Sequence, residues 1–334
     1  MPTAPQTSQP SLQVISLGGT IAMTPLSGGA GGVAPRLTAS DLVGAVPGLD
    51  DGVCLEVQDF RQIPGAWLEI DDIAALAELL NKQAASGTDG IVLTQGTDTL
   101  EETAYLLDLL YEGAAPVVVT GAMRNPSMAG ADGPANLLAA VRTAGAPQAR
   151  GLGVLVVFSD EIHAARHVQK VHSTSTSAFA SPGAGPIGHV VEGRPRFHFS
   201  LPRRPAVPLP FTRPAAVEVI ETTLGSSGTL LHCANQHLDG LVIAAFGAGH
   251  VPASWTERLE ELAARIPVVL TSRTGAGSVL TATYTFTGSE TYLLERGLIN
   301  AGTLHPRQAR LLLLAHLRTG ADRNRLKAAF ESQS

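Results

Sequence analysis

Charge, cysteine and long apolar runs are all scarce in this 334-residue chain, and each scarcity excludes something. Only 16% of residues are charged, the net charge is −6, and no block of five or more like charges occurs. Nucleic acids and anionic membrane surfaces attract basic stripes, so neither is an expected partner. The two cysteines, Cys54 and Cys233, lie far apart and form no CxxC motif. Two buried, reduced thiols are expected rather than a disulfide framework. No apolar run approaches the ~18 residues of a membrane-spanning helix. The opening MPTAPQTSQP carries neither a basic stretch nor an apolar one. No secretory signal is visible there, and the cytoplasm is the expected compartment. What the chain does have is 44% apolar residues, enough for a globular protein with two domains and a sizeable core.

The stretch GIVLTQGTDTLEE (90–102) organises the reading. Gly90–Thr94 is an apolar run of strand length. Thr99-x-x-Glu102 has the form of a capping box and predicts the start of a helix to Tyr111. Thr97 and Asp98 therefore fall at the carboxyl end of a strand beside a helix N-terminus, where open α/β sheets bind ligands. A hydroxyl and a carboxylate there suit a polar substrate with an amine or an acyl group.

Earlier, Leu12–Leu17 reads as a first strand that runs into Gly18-Gly19-Thr20. Glycines there permit a tight turn and a close approach to a ligand, although a plain glycine turn would look the same. Met23–Arg36 is rich in Gly and Pro and is expected to be a mobile loop beside Thr20, a candidate lid. Thr38-x-x-Asp41 starts a helix, and Val53–Asp59 is a strand followed by the polar pair Arg61–Gln62. A helix over 69–85, a strand over 116–120, a helix over 133–145 and a strand over 153–158 complete an alternating pattern. That alternation predicts βαβ units and a parallel sheet covered on both faces.

Residues 160–177 read as irregular and polar. His163 and His167 have i,i+4 spacing that would suit a metal on a helix, but no HExxH and no third acidic ligand accompany them, and no metal site is expected. Lys170 matters more. A lysine held near a threonine and an aspartate can take the hydroxyl proton when partial burial favours the neutral amine. A solvated surface lysine is the alternative. The literal GxGxxG at 183–188 follows no strand and leads into an apparent hairpin at Glu192–Gly193, so it is no dinucleotide site. Five prolines between 202 and 214 predict an extended linker. Beyond it, strands over 217–220, 241–245 and 267–271 alternate with helices, one capped by Ser254-x-x-Glu257 and another opened by Pro306. The expected fold is two α/β domains. A larger domain (10–200) has a mostly parallel sheet with flanking helices, 201–214 is the linker, and 215–334 is a smaller α/β domain.

GGTIA (18–22), TQGTDTLEETAYLLD (94–108), VTGAMR (119–124), ADGPANL (131–137) and Lys170, in this order, resemble the bacterial-type L-asparaginase/glutaminase family. The likeness spans essentially the whole chain and is strongest before residue 175. It implies hydrolysis of the side-chain amide of L-asparagine to L-aspartate and ammonia, in some members also of L-glutamine, without metal or organic cofactor. It places Thr20 on the primary nucleophilic threonine and Thr97, Asp98 and Lys170 on the second Thr–Asp–Lys group. It makes Gly96, Ala122, Gln62, Arg61 and Glu290 candidate substrate-binding residues. It also implies a homo-oligomer, a dimer or a dimer of dimers (homotetramer), in which a Glu of the second domain completes a neighbour's site.

The chemistry agrees. A carboxamide is a poor electrophile, so the reaction needs an activated hydroxyl, donors aimed at the developing oxyanion and a proton for leaving ammonia. The chain departs from the family in three places. The loop after GGTIA has no tyrosine, the first in the chain being Tyr105. The family's Ser–Gln clamp is replaced by Arg61–Gln62, and GAGHVP (247–252) departs from the family's Asn pattern. A glutaminase or broader amidase, an amidotransferase-like subunit and a non-catalytic amino-acid sensor remain alternatives at this level.

Overall fold

The computed structural model describes residues 9–25, 33–35 and 37–333. The chain divides between Ala206 and Val207 into two compact units. The first opens with β1 (Ser11–Ser16), the short antiparallel pair β2 (Met23–Pro25) and β3 (Val33–Pro35), α1 (Ala39–Gly44) and β4 (Cys54–Asp59). It continues with α2 (Ile70–Ala85), β5 (Gly90–Thr94), α3 (Leu100–Leu110), β6 (Val117–Thr120), α4 (Gly133–Ala144) and β7 (Val154–Phe158). The expected lid lies mostly outside the described residues. Every residue of β5, β6 and β7 is buried, as strands covered on both faces must be.

The rest of the unit departs from its sequence reading. The stretch read as irregular contains β8 (Glu161–Ala164) and β9 (Gln169–Lys170), and β9 pairs with β10 (Phe179–Ala180). His163 and His167 therefore share no helical face. His163 is fully buried and its Nδ1 lies 2.9 Å from Ser181 Oγ. Among the described residues no three His, Cys, Asp or Glu side chains group as a metal site. The literal GxGxxG ends in β11 (Gly188–Val191), which forms a hairpin with β12 (Arg194–Phe197) through Glu192 and Gly193, both at positive φ.

The eight strands run in the order β12-β11-β8-β7-β6-β5-β1-β4. From β7 to β4 neighbours are parallel, whereas β8, β11 and β12 are antiparallel. The chain leaves β1 for β4 on one side, then crosses to β5 on the other. That reversal opens a crevice at the carboxyl end of β1, the position where such sheets bind ligands. One face is sealed by α1 and α4, whose Leu42, Leu137, Ala140 and Val141 pack with Leu12, Val14, Val92 and Val118.

The second unit contains β13 (Val217–Glu221), α5 (Thr229–His237), β14 (Gly240–Ala245), α6 (Thr256–Arg265) and β15 (Val268–Ser272). It ends with α7 (Glu290–Glu295), β16 (Ile299–Asn300), α8 (Pro306–Arg318) and α9 (Arg323–Glu331). Its sheet, β13-β14-β15-β16, is wholly parallel. Ser254 is not the cap of α6. A 3-10 turn over Ala253–Trp255 leads into the helix, and Thr256 donates its hydroxyl back to Ala253 O. Both cysteines are free thiols, but both are exposed rather than buried: Cys54 lies on the edge strand β4 and Cys233 on α5.

Burial, with the neighbouring His189 adding to it, depresses the His163 imidazole from 6.5 to about 4. Burial outweighs the Glu161 carboxylate, whose Oε2 sits 3.2 Å from Nε2. Between these values the unfolded chain binds a proton that the folded one refuses. Stability is therefore fullest above 6.5 and falls as pH drops towards 4. At about 1.4 kcal/mol per pH unit this share is on the order of 3 kcal/mol. Urea midpoints for the wild type should fall over that window, and His163→Asn should flatten the fall. An equally steep fall in the variant would assign it to other groups, His305 among them, which burial also lowers to about 4.

Candidate active site

Three strand ends meet at the crevice. In register, Ser16 of β1 faces Thr94 of β5, and Thr94 faces Thr120 of β6. Leu17 N–H then donates to Thr94 O at 2.9 Å, and Gln95 N–H to Thr120 O at 3.0 Å. Just beyond, the chains touch through glycine. A Cβ on Gly19 would stand 2.0 Å from Gly96 N and 2.3 Å from its Cα, and one on Gly65 would stand 3.0 Å from Gly96 O. Gly19 also has φ +86°, a conformation that side chains disfavour. Thr20 and Thr97 each follow this contact by one residue. The glycines let two hydroxyl-bearing residues approach backbone to backbone.

Thr20 opens a 3-10 turn whose next residues, Ile21 and Ala22, are buried anchors. Gly133 at the start of α4 leaves room for Ile21, whose Cγ1 would be 2.9 Å from a Cβ there. Thr97 is 6% exposed and its Oγ1 accepts from Lys170 Nζ at 2.9 Å. The same nitrogen reaches Asp98 Oδ1 at 3.0 Å. The Asp98 side chain is 71% exposed and that of Lys170 only 17%. The structure thus brings together Thr97, Asp98 and Lys170 by direct hydrogen bonds, and Thr20 through the glycine contact. Lys170 lies on the short strand β9 and is not a solvated surface lysine.

The helix start differs from its sequence reading. Thr99 occupies the N-cap position of α3 but makes no cap bond with its side chain. Its hydroxyl donates to Gly65 O at 2.8 Å and accepts from Gln95 Nε2 at 3.0 Å. Gln95, fully buried, also donates to Thr103 Oγ1 at 3.0 Å. These bonds tie the Gly65 turn to the strand end. Glu101, 7% exposed, accepts the backbone N–H of Lys170. Neither Gln95 nor Glu101 was singled out from sequence. Their signal was a polar side chain in the first turns of an otherwise apolar helix and strand.

Ala122 follows Thr120 and is 1% exposed. The turn that carries it is fixed by the ADGPANL block. Asp132 accepts the backbone N–H groups of Met123 and Arg124, and Asn136 donates to Gly121 O at 3.0 Å. Ala122 lines a small apolar cavity with Ile21, Leu37 and Leu137. Gln62 is exposed, its Nε2 3.4 Å from Leu37 O, and its backbone lies against Gly18. Arg61 is turned onto Asp72, at 2.8 Å, and the Phe60 ring. It is not brought to the Thr–Asp–Lys group.

Glu290 belongs to the second unit and is fully buried. Its Oε1 accepts from the backbone of Thr283 at 3.1 Å and Tyr284 at 2.9 Å, and its Oε2 lies 3.2 Å from His250 Nε2. Burial opposes ionisation, but the N–H groups of Tyr284, Glu290 and Thr283, with the His250 ring, outweigh it and hold the carboxyl below its usual range. The stabilisation that follows is complete above the ordinary value of 4.5 and is lost as pH falls through the lowered one. Amide exchange at Thr283 and Tyr284, corrected for intrinsic rates, should therefore speed up as pH falls below the ordinary value of 4.5. Unchanged protection over that range would contradict the assignment.

The comparisons with known proteins cover both units of the chain. The family described as "Asparaginase, N-terminal" matches residues 11–203, and "Glutaminase/Asparaginase C-terminal domain" matches 216–330. The chain is 40% identical over 327 residues to the "Probable L-asparaginase" of Deinococcus radiodurans, covering 97% of this chain and 98% of that one. It is 32% identical to the "Glutaminase-asparaginase" of Pseudomonas aeruginosa, covering 98% and 91%. It superposes with a TM-score of 0.85 on the crystal structure of a probable cytoplasmic L-asparaginase from Campylobacter jejuni, at 31% identity over 96% of this chain and 99% of that one. With both halves matched and the strand-end residues in place, this chain belongs to the asparaginase family.

Proposed function

We propose that the protein hydrolyses the side-chain amide of L-asparagine through an acyl-enzyme on Thr20. The observation that carries this reading is Lys170 Nζ within hydrogen-bond distance of both Thr97 Oγ1 and Asp98 Oδ1, beside the Gly19–Gly96 contact. Exposed Asp98 takes the substrate α-ammonium, which selects an amino acid. Thr20 Oγ1 attacks the amide carbon, and its proton passes through Thr97 Oγ1 to Lys170 Nζ, which enters this step as the neutral amine. The backbone N–H of Thr97 donates to the developing oxyanion. The C–N bond then breaks, ammonia leaves with a proton returned from the same pair, and an aspartyl ester remains on Thr20. Water activated by Thr97 and Lys170 cleaves the ester and releases L-aspartate. Direct attack by that water on the amide is the rival mechanism.

The active form in this proposal is a homo-oligomer, a dimer or a dimer of dimers. Exposed Leu280, Tyr284 and Phe286 in the second unit support it as apolar surface for a second copy. Glu290 shapes the segment that carries them. A reducing compartment, the cytoplasm, fits two free, exposed thiols.

Ammonia release from L-asparagine, L-glutamine and D-asparagine is the first test, with L-asparagine expected to be fastest. Thr20→Ala should lower kcat by on the order of 10⁴-fold, because a nucleophile is lost. Acid quench in the first turnovers should trap an ester at Thr20. Its absence despite normal turnover would favour the direct-water route. Specific activity should fall on dilution as subunits part, whereas full activity in an isolated monomer would contradict the oligomer.

A further inference from the structure

Lys170 sits on a strand of only two residues, so its position needs another source of precision. β9 pairs with β10 in antiparallel register, with Lys170 opposite Phe179. The adjacent bond, Val171 N–H to Ala178 O at 2.8 Å, shows which residue pairs exchange ladder bonds. Antiparallel pairs alternate between hydrogen-bonded and non-hydrogen-bonded, so Lys170–Phe179 is a non-bonded pair. The Lys170 N–H therefore points away from β10, and Glu101 of α3 accepts it. A partly buried N–H without this acceptor would be left costly and unsatisfied.

Asp98 and Glu101 are three residues apart, and between them they grip Lys170 at both ends. Asp98 holds Nζ and Glu101 holds the backbone N–H. Their environments differ sharply. The Asp98 side chain is largely exposed, whereas Glu101 is 7% exposed and faces the protein interior. Once a substrate ammonium competes for Asp98, that grip on Nζ is shared, and the backbone grip by Glu101 is not.

We propose that Glu101 is a positioning residue for Lys170: by accepting its backbone N–H, Glu101 keeps Nζ on Thr97 Oγ1 while Asp98 turns to substrate. The assignment rests on the amidohydrolase reading for its kinetic consequence, but its geometric content stands without it. It also adds a function to the LEE of TDTLEE, because the acceptor is supplied by the first turn of the helix that follows Thr97 and Asp98.

Two readouts separate the proposal from the function. The chain has three lysines, Lys82, Lys170 and Lys327, of which Lys82 and Lys327 are exposed. Labelling with an amine-reactive reagent, followed by peptide mass spectrometry, reports Lys170 against two internal references. In Glu101→Ala, Lys170 should label several-fold faster relative to them, as its hold on Thr97 and Asp98 loosens. With L-asparagine as substrate, kcat should fall by ~10²-fold, the scale of a small misplacement of a reacting group, while KM stays within about threefold. Glu101→Gln keeps an acceptor of the same reach and should restore both labelling and kcat to near wild type. Glu101→Asp, charged but one carbon shorter, should fall between, and it provides the test if the alanine variant does not fold. Wild-type labelling of Lys170 in the Ala and Asp variants would overturn the proposal. So would Glu101→Gln as impaired as the variants that lose the reach, which would mean that charge and not position is what Glu101 supplies. If the wild type releases no ammonia from L-asparagine, the functional reading fails and the labelling arm still decides on Glu101.

Discussion

The contact between Gly19 and Gly96 is the constraint on which the site depends. Backbone meets backbone there at a distance that leaves no room for even a methyl group. Two neighbouring parallel strands normally diverge into separate loops once their ladder ends. Here the glycines let the loops after β1 and β5 run on in contact, and Gly65 closes on Gly96 from the third side. Each threonine follows its glycine directly, so the backbones of Thr20 and Thr97 are set by the packing of Gly19 on Gly96.

Around that contact the buried polar groups tie the loop that carries Thr97 to its neighbours. Gln95 bonds Thr99 and Thr103, Thr99 bonds Gly65, and Glu101 bonds Lys170. Each bond uses a side chain that a simple capping or surface reading would have spent elsewhere. Buried polar networks are costly when incomplete and rigidifying when satisfied. On the other flank, Asp132 and Asn136 do the same for the turn carrying Ala122. The family motifs are thus partly statements about hydrogen bonding between strand-end loops, and TDTLEE and ADGPANL are each the scaffold of a neighbouring loop.

Much of this was legible in the sequence where one local rule decided the outcome. The apolar runs Gly90–Thr94 and Val154–Phe158 became fully buried strands, and Thr38-x-x-Asp41 became a true capping box. Reading failed where tertiary partners outbid the local one. Thr99 has the same capping signature as Thr38, but Gly65 O and Gln95 claim its hydroxyl. Ser254 lost its expected helix start to a 3-10 turn. β8 and β9 were missed because Glu161, His163 and Lys170 look like loop residues. His163 is nonetheless fully buried, and Lys170 is shielded by Glu101 and Asp98. Arg61 reads as a candidate substrate-binding residue. In the fold it has an internal carboxylate, Asp72, on α2. Sequence spacing names the chemical type of a residue, but not which of several nearby partners it chooses.

The site is graded from rigid to open, and that gradient bears on what can vary. At its inner end, Thr97, Gly96 and Gln95 are buried, and Lys170 is held by both its backbone N–H and its Nζ. At its outer end, Asp98 and Gln62 are exposed, and Arg61 pairs with Asp72. Changing the reaction class would require breaking glycine contacts and buried bonds together, each with a large cost. Changing the length or shape of the amino acid accepted would need only substitutions among exposed side chains, which cost little stability.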